Sequence, residues 1–246
     1  HKEGFELSSP FLELNTNDRL KLSFDDMDAG TKDYSYTFIH CDASWQPSNI
    51  QPFDYIQGYM DDRITTYQFS FNTMQKYTHY SLVFPNENIQ LSKSGNYILK
   101  VYLDNNPEQL VLTQRFIIYE QKVTVDAAVH RAVIIEDRNA KQKVDFTILH
   151  NSYPINNPFG DLKVTIVQNE RWDNAITDLK PMLIRDNELI YNYETENVFN
   201  GGNEFRFFDF RSLRYQSERI KSITYDSSHN HVELLDDERR SSLRYL

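Results

Sequence analysis

The sequence has one cysteine and no long apolar run. Cys41 is the only cysteine among 246 residues, which excludes an internal disulfide and a zinc site built from several cysteines. No apolar run approaches the roughly 18 residues that a membrane-spanning helix needs. The opening HKEGFELSSP also lacks the apolar segment of a signal peptide.

Basic charge is scarce as well. The chain has 26 Lys and Arg residues against 36 Asp and Glu residues, and its formal net charge is -10. Proteins that bind the phosphate backbone of nucleic acid need a basic patch. We therefore expect no nucleic-acid partner.

Aromatic residues, in contrast, are abundant. The chain has 16 Tyr and 16 Phe residues, and both types favour strands. Apolar and polar residues alternate in short runs separated by turn-rich segments, which predicts β-strands. Residues 169–181 carry a competing signal for a short helical turn, which Asp173 or Asn174 could cap. The alternating runs lie at residues 20–24, 34–41, 63–71, 79–84, 96–103, 110–119, 142–149, 161–169, 188–194, 203–210, 219–225 and 231–235.

These runs predict an all-β chain of two tandem immunoglobulin- or fibronectin-III-like β-sandwich domains. The length exceeds the usual size of one domain. The run SGNYILKVY resembles a late strand of such sandwiches, in which Tyr97, Leu99 and Val101 face the core. No Pro/Gly-rich linker interrupts the charge-mixed segment that follows. We place the N-terminal β-sandwich at residues 1–120 and the second at 121–246.

One acidic cluster resembles a calcium site. Asp26, Asp28 and Gly30 imitate the first half of a calcium-binding loop, because hard cations need several oxygen ligands from a tight turn. The glutamate expected six residues after the glycine is missing, and Tyr36 stands there. Asp and Gly are also the ordinary residues of a turn between two strands. We favour the turn and predict no metal site.

A second cluster carries residues that could act in catalysis. His40 and Cys41 are neighbours on a predicted strand, so their side chains point to opposite faces. The sequence has no Gly-x-Ser-x-Gly elbow, phosphate loop or His-Glu-x-x-His motif. We therefore predict no enzyme, no catalytic residue and no cofactor, and we expect no small-molecule ligand.

Exposed aromatic rings would favour a different function. Trp45, Trp172 and the many tyrosines could stack against sugar rings, which makes a carbohydrate-binding β-sandwich accessory module the alternative function. Large aromatics in β-sandwiches are more often core residues. Two or more exposed, coplanar rings would be needed to favour this alternative.

The stretch GGNEFRFFDFRSLRY at residues 201–215 places four phenylalanines among charged residues. Its aromatic face changes midway along a predicted strand, which indicates a β-bulge or bend. Gly201 and Gly202 are expected to form the turn that starts the strand. We predict that Phe205 and at least one of Phe208 and Phe210 are buried.

The charged residues of this stretch have two alternative roles. Arg206 is structural if it pairs with Asp173 or Asp209, because an unpaired buried guanidinium would cost several kcal/mol. Arg211 and Arg214 are candidates for a partner contact if they project into solvent beside exposed aromatics.

Several stretches together resemble the type IX secretion system plug family, long catalogued as a domain of unknown function. The resemblance runs from about residue 20 to the C-terminus and is distributed along the chain. It is carried by FDD at 24–26, YSYTFIHCDASWQPS at 34–48, SFNT at 70–73, YTHYSLVFPNE at 77–87, SGNYILKVY at 94–102, QNERWDNAI at 168–176 and GGNEFRFFDFRSLRY at 201–215.

The resemblance implies a non-enzymatic component of a secretion system. Members of that family are larger periplasmic proteins, so the chain is expected to be an N-terminal portion whose signal peptide has been removed. The implied partner is the outer-membrane translocon β-barrel protein, whose pore the plug closes from the periplasmic side. The implied location is the periplasm, at the inner face of the outer membrane, with no integral membrane segment.

The partner-binding residues are expected among exposed arginines and tryptophans. Tyr, Trp and Arg dominate the energetics of protein interfaces. On this basis we predict partner contacts at Arg211, Arg214, Arg171 and Trp172.

Overall fold

A computed structural model describes residues 1–201 and 208–236. Strands make up 47% of the described residues and helices 3%, which confirms the all-β fold class. The chain divides into two compact units, His1–Lys122 and Val123–Leu246.

The first unit contains ten strands and one short helix. They are β1 (Phe11–Glu13), β2 (Leu20–Asp26), β3 (Tyr34–Cys41), α1 (Pro52–Tyr55), β4 (Ile56–Gly58), β5 (Asp61–Arg63), β6 (Thr66–Phe69), β7 (Thr78–Phe84), β8 (Ile89–Leu91), β9 (Gly95–Leu103) and β10 (Leu110–Tyr119). The predicted strand bounds at 34–41 and 110–119 agree with β3 and β10, because both segments alternate cleanly between apolar and polar residues.

Two sheets of the first unit enclose an aromatic core. One has the order β1-β10-β9-β3-β5 and the other β2-β7-β6, while β4 and β8 form a separate pair. The ring centroids of Tyr34 and Tyr80 lie 4.7 Å apart with the ring planes at 82°, so rings from the two sheets meet edge to face. Tyr97, Leu99 and Val101 are fully buried, which confirms the core face predicted for β9.

The described part of the second unit is also built from strands. They are β11 (Thr124–Arg131), β12 (Lys141–Leu149), β13 (Thr165–Gln168), β14 (Arg171–Thr177), β15 (Leu183–Arg185), β16 (Glu188–Tyr191), β17 (Val198–Asn200), β18 (Ile220–Tyr225) and β19 (Asn230–Leu234), with one short helix, α2 (Pro158–Asp161). A five-stranded sheet has the order β11-β12-β16-β15, with β17 also paired to β12. β13 pairs with β14, and β18 with β19.

The second core is smaller and centres on one aromatic pair. The rings of Phe146 and Tyr191 are stacked with centroids 4.4 Å apart, and Ile148, Leu179 and Leu189 are buried beside them. The helical turn considered for residues 169–181 does not form. β14 occupies that segment, because pairing with β13 satisfies its backbone and outweighs the weak capping signal.

Candidate functional site

The acidic cluster of the first unit is organised around a lysine. Lys32 Nζ donates to Asp26 Oδ1 at 3.0 Å and to Asp28 Oδ2 at 2.6 Å. The hydroxyl of Tyr34 donates to Asp26 Oδ2 at 3.0 Å. Asp26 is only 8% exposed. One ammonium thus neutralises both carboxylates, in the turn predicted between β2 and β3.

These contacts determine the protonation of Asp26. Burial raises the pKa of this carboxyl, but hydrogen bonds from Lys32, the Asp28 N–H and Tyr34 favour the ionised form. The net result is a pKa below its usual range. Burial and the bond to Asp26 raise the pKa of Tyr34 to about 12. Asp26 is therefore a charged group that stabilises the turn.

His40 and Cys41 lie on β3 without contacting each other as a base and a nucleophile would. Cys41 is buried, and burial raises the pKa of its thiol. His40 Nδ1 lies 2.7 Å from Ser48 Oγ, and Nε2 lies 3.2 Å from the Ser94 carbonyl oxygen. Since a carbonyl only accepts, Nε2 donates to the Ser94 carbonyl oxygen, and the Ser48 hydroxyl bonds to the other ring nitrogen. His40 ties the loop after β3 to the segment before β9, with its ring packed on Tyr97 at 5.0 Å.

The two tryptophans lie in different units, and both are half-buried. The guanidinium of Arg115 lies 4.7 Å from the centroid of the Trp45 ring, so one face of this indole already holds a cation. Trp172 lies on β14. Neither arrangement is the pair of exposed, coplanar rings that carbohydrate stacking requires.

Residues 208–215 form an exposed aromatic and arginine surface, which we call the 208–215 surface. Phe208 and Phe210 are 46% and 56% exposed, so the prediction that at least one is buried is wrong. The two rings stack on each other, with centroids 5.6 Å apart. Neither residue belongs to a strand, and without a sheet to cover them the rings pack together in solvent. The turn expected at Gly202, the burial of Phe205 and the pairing of Arg206 lie outside the described residues.

The arginines predicted to bind a partner project into solvent on this surface. Arg211 forms a bidentate ion pair with Asp209, in which Nε donates to Oδ1 at 3.0 Å and Nη2 donates to Oδ2 at 2.6 Å. Hydrogen bonds from Arg211 lower the pKa of Asp209 to about 2. The Arg211 side chain is nevertheless 91% exposed. Arg214 and Tyr215 are also exposed.

The other two predicted residues lie on β14. Arg171 pairs with Asp173 at 2.6 Å, and both side chains are more than half exposed. Because these residues are two apart in a strand, they share a face, whereas Trp172 points to the opposite face. Arg171 and Trp172 thus lie on one strand, while Arg211 and Arg214 lie in the segment between β17 and β18.

A further exposed apolar surface was not predicted from the sequence. Tyr67, Phe69, Phe71 and Met74 are 43%, 62%, 93% and 107% exposed, all on or just after β6. The signal that could have identified them is the absence of any charged residue at positions 64–75. Alternation alone placed these aromatics in a strand and left their exposure undetermined.

No helix in residues 1–201 and 208–236 is long and apolar enough to cross a membrane. In the same ranges, no group of three or more His, Cys, Asp or Glu side chains is placed to hold a metal ion.

Comparison with known proteins identifies the first unit. Residues 1–120 match the family model described as "Type 9 secretion system plug protein 1st domain", which confirms the resemblance seen in the sequence over the first unit. No curated protein matches the chain. A solved structure of a hypothetical protein from Parabacteroides merdae ATCC 43184 is similar, with a TM-score of 0.87 and 33% identity. The alignment covers 97% of this chain and 60% of that one, so the chain spans less than two thirds of its solved relative.

Proposed function

We propose that the chain, whose residues 1–120 match the family model of the type 9 secretion system plug protein 1st domain, binds the periplasmic side of the outer-membrane translocon barrel and closes its pore. The observation that carries this proposal is the family match over nearly the whole first unit. Plugging is a binding function, so it requires a rigid, complementary surface and no catalytic group.

The first unit has the rigidity that such a role requires. Its core joins two sheets through aromatic contacts such as Phe38–Phe84, with centroids 5.2 Å apart, and Phe84–Phe116, at 5.1 Å. Well-packed aromatic cores hold surface residues in fixed positions, which lowers the entropy cost of binding. The proposed location is the periplasm, at the inner face of the outer membrane.

The second unit supplies a proposed contact with the same partner. Arg211 and Arg214 lie in the same exposed segment as Phe208 and Phe210, and Arg171 and Trp172 lie on β14. Arginine and aromatic residues are enriched at interface hot spots. We assign the partner contact of the second unit to these four arginine and tryptophan residues.

Co-purification tests the proposal. The natural full-length protein is expressed with an affinity tag, outer membranes are solubilised in mild detergent, and the captured proteins are identified by mass spectrometry. The translocon barrel should be recovered with the tagged protein and be absent from an untagged strain. Repeated absence of the translocon, with the tagged protein itself recovered, would overturn the proposal.

A further inference from the structure

β6 is one of the two edge strands of the three-stranded sheet in the first unit. Among the described strands it pairs with β7 alone. It contains four residues, Thr66–Phe69, and all four are exposed. An edge strand presents backbone N–H and C=O groups that another strand can bind.

The pairing register shows which backbone groups point outward. Ser70 N–H donates to Tyr77 O at 2.9 Å, and the β6–β7 register continues from there without a shift. Hydrogen-bonded and non-bonded pairs alternate along an antiparallel ladder. Gln68 and Thr66 therefore bond to β7, while Tyr67 and Phe69 direct their N–H and C=O groups to the free edge.

The side chains of the same two residues are exposed and apolar. Tyr67 lies opposite Tyr80 and Phe69 opposite Thr78, on the face that holds the buried residues of β7. The ring centroids of Tyr67 and Tyr80 are 5.7 Å apart, and those of Tyr67 and Phe69 are 5.6 Å apart. Phe69 thus packs on Tyr67, and Tyr67 packs on the buried ring of Tyr80.

An apolar tip extends this edge. Phe71 and Met74 lie in the turn between β6 and β7 and are nearly fully exposed. Met27 is 52% exposed, and its carbonyl accepts a hydrogen bond from Gln75 Nε2 at 3.1 Å. We call Met27, Tyr67, Phe69, Phe71 and Met74, together with the free edge of β6, the β6 surface.

The charge pattern indicates what kind of partner fits. Residues 64–75 carry no charged side chain, although charged residues make up 25% of the chain. Natural edge strands are usually protected by charged residues, proline or a bulge. β11, an edge strand in the described part of the second unit, carries Asp126 and Arg131, whereas β6 has no charged residue, proline or bulge. Interface centres are likewise depleted in charge and enriched in Tyr, Phe and Met.

We propose that the β6 surface binds an extended polypeptide segment by adding it as an antiparallel strand to β6. The segment has uncharged, apolar side chains at alternate positions. Its backbone pairs with Tyr67 and Phe69, its apolar residues contact those two rings, and the adjoining chain packs on Phe71 and Met74. Where the translocon is named as the source of this segment, the inference rests on the proposed function.

Residue-level hydrogen exchange tests the strand pairing directly. Exchange of the chain is measured alone, with the detergent-solubilised translocon, and with the synthetic peptide acetyl-KTVTVTVTK-amide. We expect the amides of Tyr67 and Phe69 to exchange at least about tenfold more slowly with either binder, because they gain a hydrogen bond. The amides of Gln68 and Ser70 already bond to β7 and should not change. A peptide N-methylated at its valines should give no protection, since residues opposite Tyr67 and Phe69 in a bonded pair use their own N–H groups.

Variants test the side-chain contacts. The double substitution Phe69→Lys and Phe71→Lys should weaken binding of both the translocon and the peptide by about tenfold or more, since edge lysines oppose strand addition. The matched control is Phe53→Lys with Tyr59→Lys, which changes two exposed rings of the same unit away from β6 and should bind normally. Thermal unfolding of both double variants shows whether they are folded.

The outcomes separate this inference from the proposed function. If the translocon binds and the Tyr67 and Phe69 amides are unchanged, the inference is wrong and the plug function stands. If the translocon does not bind, the proposed plug function is wrong. The exchange measurement with the peptide then tests the strand-binding site by itself. Protection by the peptide at these two amides then supports a strand-binding site, and its absence at millimolar peptide rules the site out.

Discussion

Tyr67 and Tyr80 lie directly opposite each other on neighbouring strands, yet Tyr80 is 1% exposed and Tyr67 is 43% exposed. The ring of Tyr80 meets Tyr34 from the opposing sheet at 4.7 Å, whereas Tyr67 lies on the edge strand. The aromatic core of the first unit therefore continues to the protein surface at β6. This continuity makes the edge both rigid and apolar.

The first prediction compares the effect on stability of removing a buried aromatic ring, that of Tyr80, with the effect of removing an exposed one, that of Phe71. Tyr80→Ala should lower the free energy of unfolding by about 3 to 5 kcal/mol, because it leaves a cavity in the core. Phe71→Ala should change it by less than about 0.5 kcal/mol, since the Phe71 side chain is in solvent. Chemical denaturation of both variants measures the difference. Equal effects would contradict the burial described for Tyr80.

The second prediction concerns Gly95. Its φ of +152° is rarely adopted by other residues, and an added Cβ would lie 2.3 Å from His40 Nε2. Gly95→Ala should therefore destabilise the first unit by about 2 to 3 kcal/mol. Gly30→Ala, at φ +80° with nothing within 4 Å, is the control and should cost only about 1 kcal/mol of backbone strain. A Gly95→Ala variant no less stable than the control would refute the close approach of His40.

The third prediction concerns the pH dependence of stability. The folded-state pKa of Asp26 is lowered from 3.8, so its stabilising contribution is present above the unfolded pKa and is lost as pH falls through the folded one. Asp26→Asn should cost about 3 kcal/mol at pH 7 and much less near pH 2. Asp28→Asn, whose side chain is 80% exposed, should cost less than about 1 kcal/mol. Urea denaturation from pH 7 to pH 2 measures both, and a pH-independent cost for Asp26→Asn would contradict the account.

The fourth prediction tests the 208–215 surface. Arg211→Glu with Arg214→Glu should leave the melting temperature nearly unchanged, because both side chains are exposed. The same variant should weaken capture by the translocon about tenfold if these arginines are hot spots. Arg138→Glu with Arg185→Glu makes the same charge change at two other exposed positions and controls for net charge. A large drop in melting temperature with capture intact would leave these arginines with a structural role alone.

Much of the fold of the first unit could be predicted because apolar and polar residues alternate along its longer strands. Tyr97, Leu99 and Val101 follow a period of two, so their burial could be predicted from spacing alone. The short strands β4, β5 and β8 escaped prediction, since three residues give too little periodicity. A helical turn competed with a strand in the prediction for the segment that forms β14. This strand depends on tertiary pairing with β13, and a local capping signal carries no information about that pairing.

The candidate sites were less predictable. Phe208 and Phe210 have the composition of core residues, and their exposure depends on whether a sheet covers them. Likewise, Tyr67 and Tyr80 are both tyrosines in alternating runs, and only the strand order places one of them at an edge. The sequence indicates which face a residue occupies, but the sheet topology determines whether that face is covered.

The proposed function is closure of a secretion pore, and pore conductance measures closure directly. The translocon is reconstituted in a planar bilayer, and the natural full-length protein is added to its periplasmic side. We expect conductance to fall as the protein is titrated, and the Phe69→Lys and Phe71→Lys double variant to need at least about tenfold more protein for the same fall. Conductance that stays unchanged at saturating wild-type protein would show that the protein does not close the pore.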